Sequence, residues 1–211
     1  MVQIVEPSAH LEDEIDGEEI LRKIERAGRT CYRSEDRITP DSSHRFVKML
    51  LDRGHESVLE HEKVTVRIVC DRGISHEIVR HRVASYSQES SRYCNYSKGQ
   101  FGGEITVVPM LDGLTPQQIA RRVILWESIQ KVYMDELNEG VAPQQARDNL
   151  PTCLKTEVVW TCNLREWRLV FKQRTASAAH PQMQKIMKSL LLEFRRVIPV
   201  VFDDVGEGHV G

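Results

Sequence analysis

Several protein classes are excluded by what this sequence lacks. No apolar run in its 211 residues approaches the ~20 needed to span a bilayer, so no contact with a membrane is expected. Met1-Val2-Gln3-Ile4-Val5-Glu6 has neither a basic opening nor a long apolar stretch, and is not read as a signal peptide. The five cysteines, Cys31, Cys70, Cys94, Cys153 and Cys162, are odd in number and form no C-x-x-C pair. This argues against a disulfide framework and a zinc ribbon, and for reduced thiols in a cytoplasmic setting. The net charge is −2, so no global basic field recruits nucleic acid. No G-x-G-x-x-G follows a predicted strand, which excludes dinucleotide binding in the Rossmann manner. Internal repeats, low-complexity tracts and linkers are also absent.

What is present fits one globular domain spanning 1–211, with 40% hydrophobic and 28% charged residues. The patterning predicts an α+β fold, a mixed or antiparallel sheet flanked by long helices. Strands are expected at 2–5, 63–71, 104–108 and 153–162, the second alternating Val64, Val66, Ile68 and Cys70 with a mixed face. Helices are expected at 18–33, after an N-cap signal at Asp41-Ser42-Ser43, at 74–83, from Thr115-Pro116 to about 139, at 144–150, 163–174 and 181–198. In the helix after Thr115, Ile119, Val123, Leu125, Ile129, Val132, Tyr133 and Leu137 form the expected apolar stripe, with Trp126 beside it as core or interface. The segment 93–103 reads as loop and 206–211 as a frayed end.

One stretch stands apart: Arg80-His81-Arg82-Val83-Ala84-Ser85-Tyr86-Ser87-Gln88-Glu89-Ser90-Ser91-Arg92-Tyr93. Its only aliphatic members are Val83 and Ala84, so it is not built to bury a helical face. Guanidinium forks, hydroxyls and backbone N–H groups are donors for phosphate and carbonyl oxygens. The segment therefore reads as a site for an anionic, nucleotide-like ligand, beginning on the helix at 74–83 and entering a loop near Ser85. The alternative from composition alone is a solvated Arg/Ser surface.

Other candidates weigh less. In His55-Glu56-Ser57-Val58-Leu59-Glu60-His61 the histidines stand six apart, not the four that share a helical face, so no metal site is expected. Ser90 has no G-x-S-x-G elbow to activate it. His81 could serve as a base, but the arginines on either side disfavour its protonated form. A nucleic-acid module would need a wider basic surface with aromatic platforms.

The order Arg80-His81-Arg82, then Ser90, then Arg92-Tyr93 resembles the signature of the flavin-dependent thymidylate synthases. The likeness continues in Gly54-His55-Glu56-Ser57, Gly140-Val141-Ala142-Pro143, Ala146-Arg147, Leu150-Pro151, the run from Trp160 to Trp167, Arg174-Thr175 and Ala179-His180-Pro181-Gln182. The resemblance implies a homotetramer with sites shared between subunits, in which FAD, NADPH and 5,10-methylenetetrahydrofolate convert dUMP to dTMP. It implies FAD contacts at His55, Ser57, Arg80, His81, Arg82, Gln88, Asn163, Leu164 and Arg165. It implies a dUMP pocket walled by Glu77, Ile78, Val79 and Arg80 and completed by Gln88, Glu89, Ser90, Ser91, Arg92, Tyr93 and Arg147. Ser90 and Arg92 would lie near the phosphate and Tyr93 against the base. Arg174 would meet the uracil edge as the catalytic residue. Glu77 and Gln88 depart from the family pattern, as does Leu169, whose apolar side chain is expected to lie outside the site.

Overall fold

The computed structural model describes residues 1–97 and 102–206. The loop expected over 93–103 falls partly, and the frayed end over 206–211 almost wholly, outside them. The chain forms two compact units. The first comprises Met1–Ser8, Ile68–Arg80 and Ser87–Val158; the second comprises Ala9–Arg67, His81–Tyr86 and Val159–Gly211. The elements are β1 (Gln3–Ile4), β2 (Ser8–Leu11), α1 (Gly17–Tyr32), α2 (Ser42–Asp52), β3 (Lys63–Asp71), α3 (Arg72–Ile78), β4 (Ser85–Gln88), β5 (Thr106–Val107), α4 (Pro116–Asn138), α5 (Pro143–Ala146), β6 (Lys155–Asn163), α6 (Leu164–Arg174) and α7 (Pro181–Val197). One sheet pairs β1 with β5 in parallel, and the other has the order β2-β3-β6-β4. The α+β expectation holds.

In the second unit, α1 starts where Asp16 accepts a hydrogen bond from Glu19 N, 2.9 Å away. It packs on α2 across Gly28, where a Cβ would lie 2.7 Å from the Phe46 ring. Only glycine permits that approach. Asp41 occupies the N-cap position of α2 without a side-chain bond; Ser42 Oγ instead donates to the buried Glu25. The core is aromatic. Trp167 lies 4.7 Å from Trp160, 5.5 Å from Phe171 and 5.1 Å from Phe194, and its indole N–H donates to Val64 O. Phe202 closes the cluster against Phe171 and Phe194.

In the first unit, Val2, Tyr96, Ile105, Val107, Trp126 and Tyr133 form the core. A capping box opens α4: Thr115 Oγ1 accepts from Gln118 N while Gln118 accepts from Thr115 N. The stripe expected on this helix is corrected. Trp126 is 5% exposed and Tyr133 fully buried, with Val123, Ile129 and Leu137 beside them, whereas Leu125 is 57% exposed and Val132 is exposed too. Hydropathy marked the helix as apolar, but its widely spread apolar residues did not fix which line faces inward.

A second correction concerns the Arg/Ser segment. The helix before it ends at Ile78, Arg80 to Ala84 is irregular, and Ser85–Gln88 is a strand rather than a loop. Ser85 and Ser87 face outward and Tyr86 and Gln88 are half-buried, a period-two pattern that serines conceal from a hydropathy reading.

Urea unfolding provides a test of these packing assignments. Trp167→Ala is expected to cost roughly 3–5 kcal/mol, because it empties the aromatic core and strands the Val64 carbonyl. Thr115→Ala, which removes one exposed cap, is expected to cost only about 1 kcal/mol. Equal losses would contradict the core assignment.

Candidate functional site

In the second unit a short polar array is built on α6. Asn163 caps this helix by accepting from Glu166 N at 2.8 Å, which fixes its first turn. Glu166 lies in that turn and Arg174 is the last helical residue, about 12 Å further along the axis. His81 spans them. Arg174 Nε donates to His81 Nε2 at 2.9 Å, and His81 Nδ1 lies 3.4 Å from Glu166 Oε1. A guanidinium can only donate, so Nε2 must be the acceptor and the imidazole proton must sit on Nδ1, facing the carboxylate.

The surroundings enforce the same state. His81 is 6% exposed; its ring lies 5.4 Å from that of Trp160, and Tyr86 OH donates to its carbonyl at 2.5 Å. Burial, aided by the Arg174 charge, pulls the imidazole pKa down to about 4. Burial also raises the Glu166 carboxyl and the Tyr86 phenol.

Beside this array opens a cavity of about 1170 Å³, lined among others by Val83, Asn163, Arg165, Glu166, Leu169 and Lys172. Its rim is held by ion pairs. Arg165 Nη1 meets Glu60 at 2.5 Å, and Arg168 joins Glu56 at 3.1 Å, Asp204 at 2.7 Å and the Val201 carbonyl. Lys172 and Lys188 add positive charge to the wall. Leu169, expected outside the site, is one of the lining residues and is 43% exposed. Its position on α6 decides this: it follows Arg165 by four residues, on the same helical face.

The first unit carries another polar cluster. Gln88 donates to Ser75 Oγ at 2.9 Å and to Thr156 Oγ1 at 3.2 Å. Glu89 accepts from Tyr96 OH at 3.0 Å and from Lys155 at 3.3 Å, and Lys155 also meets Glu157 at 2.5 Å. Arg147 donates to Ser91 Oγ at 3.4 Å. Ser90 Oγ accepts from Arg92 N, and the Arg92 guanidinium lies 5.7 Å from the Tyr93 ring centroid. Tyr93 is 79% exposed.

The expected site residues thus sort by unit. Glu77, Ile78, Val79, Arg80, Gln88, Glu89, Ser90, Ser91, Arg92, Tyr93 and Arg147 belong to the first; His55, Ser57, His81, Arg82, Asn163, Leu164, Arg165 and Arg174 belong to the second. Arg80, Arg82, Ser57 and His55 are exposed, and His55 Nδ1 bonds Tyr32 OH at 3.0 Å. Ile78 and Leu164 are fully buried. Sequence reasoning did not single out Glu166, Trp160, Tyr86, Arg168, Lys155 or Tyr96. Tyr86, Trp160 and Glu166 lie inside the quoted motifs without a role assigned to them, and Lys155 and Glu157 are alternate residues on one strand face.

A family model described as thymidylate synthase complementing protein matches residues 14–200. A flavin-dependent thymidylate synthase from Geobacter sulfurreducens is 31% identical over 192 residues, covering 86% of this chain and 80% of that protein. The chain belongs to the flavin-dependent thymidylate synthase family. Another family member, from a Mycobacterium species (strain KMS), is 32% identical over 212 residues, covering 90% of this chain and 82% of its own length. The fold resembles a solved structure, the UMP/dUMP methylase PolB from Streptomyces cacaoi bound with 5-Br dUMP. The TM-score is 0.76 at 21% identity, with 95% of each chain covered. For this family member, residues 80–93 combine a buried imidazole in one unit with a bonded polar strand end in the other.

His81 gives the site a pH signature. Its folded pKa of about 4 lies below the unfolded value of 6.5, so the unfolded chain binds the extra proton first as pH falls. Its contribution, on the order of 3 kcal/mol, is therefore present above pH 6.5 and lost as pH falls toward 4. Chemical unfolding of the wild type between those limits should show the loss, and His81→Gln should flatten it. Parallel profiles would contradict a neutral buried imidazole.

Proposed function

We propose that the chain is a flavin-dependent thymidylate synthase. It moves the one-carbon unit of 5,10-methylenetetrahydrofolate to C5 of dUMP, with NADPH and a proton as reductant. The products are dTMP, tetrahydrofolate and NADP⁺. The observation that carries this reading is the Arg80–Tyr93 segment inside a family match spanning residues 14–200.

The cavity beside α6 suits FAD in size and chemistry. Its volume of about 1170 Å³ exceeds the ordinary range for small-molecule pockets, as a dinucleotide requires. Lys172 and Lys188 would offer charge to a diphosphate, with Arg165 joining them on exchanging its Glu60 partner, and Val83, Leu169 and Val205 offer apolar wall to a ring system. Asn163, Leu164 and Arg165 would hold FAD together with His55, Ser57, Arg80, His81, Arg82 and Gln88; Leu164, being buried, would contribute backbone alone, and His81, whose ring nitrogens face Arg174 and Glu166, would offer the flavin no ring nitrogen. When bound, FAD supplies two-electron chemistry between NADPH and the one-carbon unit.

The protein's own part is position and charge. Ser90 and Arg92 would bind the dUMP phosphate, with Ser91 and Arg147 bracing them. Glu77, Ile78, Val79 and Glu89 would shape the pocket, and Tyr93 would cover the base. Arg174, always cationic and gripped by His81 through Nε, would stabilise negative charge developing on the pyrimidine. Cys70, Cys153 and Cys162 are disfavoured as nucleophiles: burial pushes the Cys70 thiol up to about 12 and Cys153 to about 11, and raises Cys162 as well. We further propose a single functional domain, a cytoplasmic location and a homotetramer with sites shared between subunits. Exposed Ile124, Leu125 and Val132 on α4 and Leu192 on α7 support such packing.

The test is NADPH oxidation by the FAD-reconstituted chain with and without dUMP, with product identification. dTMP should form, and a colourless chain without dUMP affinity would overturn the reading. Arg174→Ala is expected to lower turnover about 10²–10³-fold, while Cys162→Ala should leave it nearly unchanged. Near-normal turnover in Arg174→Ala with dUMP still bound would refute the role given to Arg174.

A further inference from the structure

The structure points to a residue that acts behind the site. We propose that Glu166 is a positioning residue for Arg174, working through His81. This deepens the reading above and rests on the role given there to Arg174.

His81 Nε2 accepts from Arg174, and Nδ1 faces the Glu166 carboxylate at 3.4 Å. The Trp160 ring lies against the imidazole, and Tyr86 holds the backbone that carries it. A buried imidazole that lost its Nδ1 acceptor could satisfy itself by moving the proton to Nε2 or by turning. Either change sets donor against donor at Arg174 Nε and breaks the hydrogen bond that orients it. The Glu166 carboxylate thus selects the tautomer whose lone pair grips Arg174. Glu166 and Arg174 stand on the same helix, so the distance the imidazole must bridge is fixed by α6. The helix cap reinforces this, because Asn163 holds the backbone of Glu166 itself. Glu166 touches no reacting atom in this account; it orients the residue that does, as an outer-sphere carboxylate orients a ligating histidine.

The first test needs no cofactor. In ¹H–¹⁵N spectra of the purified chain, the Arg174 Nε–H signal is assigned by its disappearance in Arg174→Lys. Its exchange with solvent is expected to be slow in the wild type and in Glu166→Gln, which keeps an acceptor. In Glu166→Ala it is expected to be at least about tenfold faster. Glu166→Asp, which withdraws the acceptor while keeping the charge, should resemble alanine and serves if the alanine variant does not fold. The second test uses the FAD-reconstituted enzyme. Glu166→Ala should lower kcat about 10–100-fold with little change in KM for dUMP, and Glu166→Gln should recover most of it. Unchanged exchange in both Glu166→Ala and Glu166→Asp overturns the proposal, as does a glutamine variant as impaired as alanine in both measurements. If Arg174→Ala turned over normally, the catalytic reading would fail, while the exchange data would still show whether Glu166 holds Arg174.

Discussion

An arginine can hydrogen-bond a histidine nitrogen only while that nitrogen keeps its lone pair. The 2.9 Å contact between Arg174 Nε and His81 Nε2 therefore imposes a neutral imidazole, and much of the second unit serves that requirement. His81 is buried, Trp160 lies against its ring, and the nearby cation opposes a second proton. Trp160 in turn packs on Trp167, and Trp167 on Phe171 and Phe194, so the polar array rests on the aromatic core. A side chain held this way loses little freedom when it meets a ligand, which is the physical content of preorganisation.

The polar strand end in the first unit follows a different logic. Its side chains are bonded sideways: Gln88 to Ser75 and Thr156, Glu89 to Tyr96 and Lys155, Ser91 to Arg147. A solvated Arg/Ser surface would need none of these partners. Arg92 and Tyr93 are exposed. Residues that the family resemblance assigns to the nucleotide lie almost wholly in the first unit. Those it assigns to the flavin lie mainly in the second, with Arg80 and Gln88 the exceptions.

The sequence was most legible where one period dominated. β3 was read at its observed bounds because Val64, Val66, Ile68 and Cys70 alternate without interruption, and α7 was readable from Pro181 and its apolar spacing. β4 was not legible, since serines at alternate positions carry no hydropathy signal. The inward line of α4 was misplaced because apolar residues lie on several of its faces. Of the candidate site, the motif residues were legible as a list of donors. Their partners were not, because Glu166, Lys155 and Tyr96 matter only through contacts that the fold creates. Leu169 was set outside the site because it departs from the polar residue of the family pattern; in the structure it lines the cavity beside α6.

The most direct measurement is the ¹⁵N spectrum of the His81 imidazole in the purified chain as a function of pH. A neutral ring protonated on Nδ1, with Nε2 free, is expected from pH 8 down to about pH 5. A ring that takes its second proton near pH 6.5, or that carries its proton on Nε2 at neutral pH, would contradict the account, because Arg174 could not then be held as described.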